Sequence, residues 1–180
     1  MDAPQTQNQQ LITTPPHSTD AERSVLGALL QDPMALSAAV ETLVSDDFYV
    51  PAHKEIFDAA RQLSMSNMAV DLVTMDAELS RRGTLPGIGG IEYLIELTQF
   101  VPTTANVKYY IRIVSEKATL RRLIQAAGDI SHAAYAQEQE LPEVLGLSEK
   151  LIFDIVMQRS GGDELQHIRE IMTRTYEQME

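Results

Sequence analysis

Apolar side chains recur every three or four residues along most of the chain, the spacing that gathers them on one face of a helix. The opening (residues 1–16) is Gln/Thr/Pro-rich with little apolar content and reads as a disordered tail. Ser18, Thr19 and Asp20 are each competent N-caps, Thr19 with Glu22 has capping-box spacing, and Val25, Leu26, Leu29 and Leu30 form the stripe of a first helix ending near Gln31. Asp32-Pro33 starts a second, with Leu36, Ala39, Val40 and Leu43 on one face, closing before Ser45-Asp46-Asp47. Phe48-Tyr49 falls between helices and reads as a core plug. Pro51 opens a third helix (Ile56, Phe57, Ala60, Leu63), and Asp71 caps a fourth (Leu72, Met75, Leu79) that stops at Gly83. Arg81 and Arg82 in its last turn suit the helix dipole. A fifth helix (Ile91, Leu94, Ile95, Leu97) runs to Pro102.

From Ala105 to Ala136 the repeat continues without a break through Val107, Tyr110, Ile111, Val114, Leu120, Leu123, Ile124, Ala127, Ile130 and Ala134. That predicts one long helix. The polar link Gln137-Glu138-Gln139-Glu140 is short, and Leu141-Pro142 restarts a helix, so the two arms should pack antiparallel as a hairpin. The second arm carries Val144, Leu147, Leu151 and Ile155 on one stripe, with Leu145, Ile152, Phe153, Val156 and Met157 on flanking faces, before Gly161-Gly162. One partner helix cannot cover all of these, so a second contact is required, with the rest of the chain or with another copy. Beyond the glycines, Leu165, Ile168, Met172 and Tyr176 mark an amphipathic helix that would be marginal alone. Its pattern looks interrupted at Glu180, which suggests a piece of a longer protein. The expected division is a tail (1–16), a helical globule (17–102), a hairpin (103–160) and a linker helix (161–180).

Composition supports an all-α fold: aromatics are 6% and tryptophan is absent, against 44% hydrophobic residues rich in alanine, leucine and methionine. The absence of cysteine excludes disulfides, thiolate metal sites and cysteine nucleophiles, and fits a reducing compartment. No apolar run reaches the length of a membrane span, and Met1 to Ser18 lacks signal-peptide features, so a soluble cytoplasmic protein is expected. The net charge of −12 is uneven, with 5 Lys/Arg against 14 Asp/Glu in residues 1–100 and 9 against 12 thereafter. Without a cluster of cations beyond Arg81-Arg82 and Arg121-Arg122, tight nucleic-acid binding by this chain alone is not expected.

Candidate chemistry is sparse. Leu85-Pro86-Gly87-Ile88-Gly89-Gly90 lacks the lysine and hydroxyl of a P-loop. Asp129 with His132 and Glu164 with His167 have the spacing of half a di-iron site, but lack the surrounding glutamates. His132 as a phosphorylated histidine would want a lysine and a glycine one turn on, where the chain has Ala133-Ala134-Tyr135-Ala136. No catalytic residues, cofactor-binding residues or metal ligands are assigned, and a binding module is favoured over an enzyme. The alternatives are a free-standing helical adaptor, or a phosphotransfer or metal protein using His132.

The ordered set Ala21-Glu22-Arg23-Ser24-Val25-Leu26-Gly27, Phe48-Tyr49 with His53, Ile56 and Phe57, Asp71-Leu72-Val73-Thr74, and Gly89-Gly90 with Tyr93-Leu94 resembles the N-terminal domain of the DnaB family of bacterial replicative DNA helicases. Pro102-Thr103-Thr104-Ala105-Asn106, Tyr109-Tyr110, Ile113 to Ala118 and Leu120-Arg121-Arg122-Leu123-Ile124 extend the likeness through about residue 160, and residues 163–180 look like the family's linker helix. The full-length family is an ATP-dependent 5'-3' helicase; this chain has no Walker A loop, so ATP and magnesium are implied only for a motor domain outside it. The resemblance implies a non-catalytic collar built as a trimer of dimers, a docking place for a DnaG-type primase and for a helicase loader, and a linker helix that docks on a neighbouring motor domain. Self-association is placed on Leu145, Ile152, Phe153 and Val156 with Ile124 and Arg121 opposite, and linker docking on Leu165, Ile168, Met172 and Tyr176. Primase contacts are expected on the acidic globule and the exposed hairpin.

Overall fold

The computed structural model describes residues 14–101, 103–137 and 140–157, and these are helical with no strand among them. Eight α-helices occur among the described residues: α1 (Thr19–Leu29), α2 (Pro33–Thr42), α3 (Pro51–Met65), α4 (Leu72–Arg82), α5 (Leu85–Ile88), α6 (Gly90–Phe100), α7 (Val107–Ala136) and α8 (141–157). The protein is all-α, as its periodicity predicts.

Local signals fix most of the boundaries. Asp32 caps α2 by accepting from the Met34 N–H, with Pro33 in the first turn. Asp71 caps α4 through the Val73 and Thr74 N–H groups, while the Thr74 hydroxyl accepts from the Asp71 N–H. Gly83 ends α4 in the left-handed region at φ 74°, a conformation that costs glycine little. Three expectations are corrected. Ser18, one of the three competent caps, caps α1, and the capping box expected of Thr19 with Glu22 does not form because the Glu22 carboxylate is turned inward. The glycine segment contains a four-residue helix, α5, which is too short for periodicity to reveal. The long arm begins at Val107, behind a 3₁₀ turn at Thr104–Asn106, rather than at Ala105.

The core gathers Val25, Leu26 and Leu29 of α1, Leu36 and Ala39 of α2, Ile56, Phe57 and Ala60 of α3, Met75 and Leu79 of α4, and Leu94 and Leu97 of α6. Phe48 is fully buried with its ring 4.8 Å from that of Phe57, the plug that its position predicts, while Tyr49 is half-buried. Helix α1 is central and packs on α2, α3, α6 and α7. Its approach to α6 is close: a Cβ at Gly27 would lie 2.1 Å from the Leu97 carbonyl oxygen. The first half of α7 belongs to this core through Val107, Ile111 and Val114, packed on α1 and α2. At 30 residues α7 is about 45 Å long, so its second half projects beyond the globule.

Arg81 and Arg82 do more than face the end of the α4 dipole. Both bond Glu78, and Arg82 also reaches Asp58 at 2.7 Å, which ties α4 to α3. The hydrogen bonds from the two arginines hold the Glu78 carboxyl at a pKa of about 2.

Candidate functional site

Two features stand out from ordinary core and surface: a line of polar groups inside the globule and an apolar belt on the hairpin. The polar line starts at Glu22, on the buried face of α1. Its Oε1 accepts the Tyr49 N–H at 2.7 Å and its Oε2 accepts the Val50 N–H at 3.2 Å, satisfying the N-terminus of α3, where Val50 offers no capping side chain. His53 Nδ1–H donates to Oε2 at 2.7 Å, and the Tyr93 hydroxyl is hydrogen-bonded to His53 Nε2, also at 2.7 Å. Burial pushes the Glu22 carboxyl up, but the hydrogen bonds from His53, Tyr49 and Val50 outweigh it and hold it below its ordinary value. Burial raises the Tyr93 phenol.

Glu22, His53 and Tyr93 resemble a relay, but Glu22 is 1% and His53 0% exposed, so no substrate reaches the imidazole. Their arrangement joins α1, α3 and α6 with mutually satisfied groups, which makes it a structural tie rather than a catalytic one. Sequence reasoning gave these residues no such role, although the signal was present. Glu22 precedes Val25, Leu26 and Leu29, and His53 precedes Ile56, Phe57 and Ala60, all at helical spacing; each is a polar residue on a buried stripe.

The belt lies on α7 and α8. On α8, Val144, Leu147, Leu151 and Ile155 are half-buried, and on the distal part of α7 Ala126 is buried while Ile130 and Ala133 are half-buried. Matching stripes of this kind are what an antiparallel pair leaves covered. The remaining apolar residues face out: Ile124 is 59% exposed, Leu145 54%, Ile152 43%, Phe153 60% and Val156 53%, with Leu120, Leu123 and Met157 beside them in the same condition. The candidate self-association residues Ile124, on α7, and Leu145, Ile152, Phe153 and Val156, on α8, are thus each exposed.

Arg121 is half-buried rather than exposed. Its guanidinium donates to the Pro16 carbonyl at 2.7 Å and to the Asp47 carbonyl, and lies 5.8 Å from the centre of the Tyr49 ring. His132 is exposed on distal α7, and Asp129 accepts from Gln125. No group of three or more metal-ligating side chains occurs among the described residues. No helix among them is long and apolar enough to cross a membrane. Glu164, Leu165, His167, Ile168, Met172 and Tyr176 lie outside the described residues.

Residues 14–116, more than half of the chain, match the family model of the DnaB-like helicase N terminal domain. The chain is 44% identical over 166 residues to the replicative DNA helicase DnaB of Geobacillus stearothermophilus, and 40% identical over 166 residues to the replicative DNA helicase DnaC of Bacillus subtilis. Each alignment covers 92% of this chain and 36% of the relative, so the chain spans about a third of the length of these curated relatives. Among solved structures it resembles the N-terminal domain of DnaB helicase from Mycobacterium tuberculosis, with a TM-score of 0.74 and 42% identity over 78% of this chain and 99% of that one. A second likeness, with a TM-score of 0.64 and 26% identity over 77% of this chain and 30% of the other, is to a DnaB-like replicative helicase described together with its interactions with primase. The helical globule, its long final arm and these likenesses agree, and the chain belongs to the family of DnaB-like helicase N-terminal domains.

Proposed function

We propose that this chain is the non-catalytic collar domain of a hexameric replicative DNA helicase, working in the cytoplasm, which assembles with copies of itself and docks a DnaG-type primase during DNA replication. A helicase loader is a further partner of the same collar. ATP and magnesium belong to the motor portion of the longer protein.

The observation that carries this reading is the belt of Ile124, Ile152 and Phe153, with Leu145 further along the arm. Large apolar side chains exposed together on a projecting hairpin lose free energy in water until another surface covers them. Val144, Leu147, Leu151 and Ile155 of α8 are already half-buried, which leaves the exposed face of the helix for a second molecule. The acidic globule and the exposed hairpin offer the primase a surface of negative charge. The same charge keeps single-stranded DNA off the collar wall. Leu165, Ile168, Met172 and Tyr176 are assigned to docking on the motor domain of a neighbour.

The deciding measurement is solution mass by light scattering across a concentration series of the 180-residue chain. A dimer or larger species that Ile152→Asp converts to monomer is the expected result. A monomer at every concentration would withdraw the belt as an assembly surface. Calorimetric titration with the C-terminal domain of a DnaG-type primase tests docking separately, and absence of heat and of complex would remove that part of the proposal. Protection of Leu165, Ile168, Met172 and Tyr176 from hydrogen exchange in the isolated chain would remove the linker assignment.

A further inference from the structure

The segment before α1 does not simply lead into the globule; it crosses to the base of the hairpin. His17 Nδ1–H donates to the Pro15 carbonyl at 2.8 Å, and the His17 ring stacks on Tyr49 with centroids 4.1 Å apart and planes 18° from parallel. The neighbouring Pro16 carbonyl accepts from Arg121 Nη1, and the other arm of that guanidinium donates to the Asp47 carbonyl. Arg122, the next residue, donates to Asp47 Oδ1, while Asp47 Oδ2 accepts the Val44 N–H at 2.8 Å. Three separate parts of the chain therefore meet at one arginine: the strap 14–18, the turn before α3, and α7.

Its position on α7 gives the meeting point a mechanical meaning. Val114 and Ala118 are buried, whereas Leu120, Leu123 and Ile124 are exposed, so Arg121 sits where the helix leaves the apolar support of the globule. A half-buried guanidinium gives up hydration, and burial lowers its pKa; only ordered acceptors in fixed places make that position favourable. Two of those acceptors are backbone carbonyls, which no substitution in the turn or strap removes unless the backbone itself moves. The fork geometry of arginine suits two acceptors on different segments; lysine would hold one.

We propose that the strap Thr14–Ser18 and Arg121 form a clamp that holds the emerging hairpin in line with the globule, and that withdrawal of the strap lets the distal part of α7, with α8, move. The clamp accounts for two motifs that core packing alone leaves without a role, the Tyr49 of Phe48-Tyr49 and the first arginine of Leu120-Arg121-Arg122-Leu123. It also makes the N-terminal segment a handle: anything that draws residues before His17 away changes the stiffness of the hairpin without touching it.

The test is a double-mutant cycle read by hydrogen exchange at each amide. The four proteins are the full chain, a chain lacking residues 1–17 that keeps the Ser18 cap, Arg121→Gln, and the two changes together, each measured at two concentrations tenfold apart so that protection by assembly is seen separately. Either single change is expected to speed exchange in residues 119–136 about tenfold, the weight of one hydrogen bond to a charged group, and to leave the amides of α3 and α6 as they were. The combined variant should exchange no faster than Arg121→Gln. Unchanged exchange in residues 119–136, an equal rise throughout the globule, or additive effects in the combined variant would each overturn the clamp. Arg121→Lys should fall between the full chain and Arg121→Gln.

Discussion

Glu22 stands where the repeat of α1 calls for an apolar side chain, and the molecule uses its charge rather than tolerating it. The carboxylate is the acceptor for two backbone N–H groups and an imidazole in a place that water does not reach. Glu22→Gln keeps the shape but replaces one acceptor oxygen with an NH2 that cannot accept, leaving at least one of the three donors unpaired, and a loss of about 2 kcal/mol is expected, measured by urea unfolding. Tyr93→Phe removes only the outer hydrogen bond and should cost about 1 kcal/mol in the same assay. The carboxyls of Glu22 and Glu78 both lie below their ordinary value of 4.5 in the folded protein. Such groups stabilise the fold above the unfolded value, and that stabilisation is lost as pH falls through the folded value. Stability should therefore decline as pH drops below about 4.5, continuing toward about 2 for Glu78, with a smaller decline in Glu22→Gln; an acid titration of the unfolding midpoint would show it. Gly27 makes the opposite point about size. A methyl group there meets the Leu97 carbonyl, so Gly27→Ala should cost about 3 kcal/mol by forcing α1 and α6 apart, read as a lowered melting temperature.

At the scale of the element, the helices divide by what holds them. Helix α4 was legible almost to the residue because Asp71 and Gly83 punctuate it, and Asp71→Ala should cost about 1 kcal/mol by leaving the Val73 and Thr74 N–H groups without their cap. Helix α5 was not legible, since four residues contain too little repeat to separate a helix from a glycine-rich turn. Helix α8 reads differently on its two faces. Leu147→Asp puts a charge into the half-buried stripe and should unwind α8, lowering helix content by circular dichroism, whereas Ile152→Asp on the exposed face should leave the spectrum unchanged. Only the second substitution is informative about assembly.

For the whole molecule, the pattern of apolar residues by itself determined the all-α class, a long arm running to Ala136 with its start placed two residues early at Ala105, and the two faces of the second arm. These are matters of local spacing and capping, which neighbouring residues decide among themselves. What only the tertiary structure decided is which polar residues serve the interior. Thr19 with Glu22 has the spacing of a capping box, yet Glu22 turns to Tyr49, Val50 and His53, because an unpaired buried N–H costs more than the loss of a surface cap. Arg121 likewise has the position of a hairpin surface residue, but the carbonyls of Pro16 and Asp47, distant along the chain, are brought to it by the fold. A periodic pattern states which face of a helix is apolar; it carries no information about which distant polar atom will arrive at the few polar places on that face, because that depends on how the helices cross.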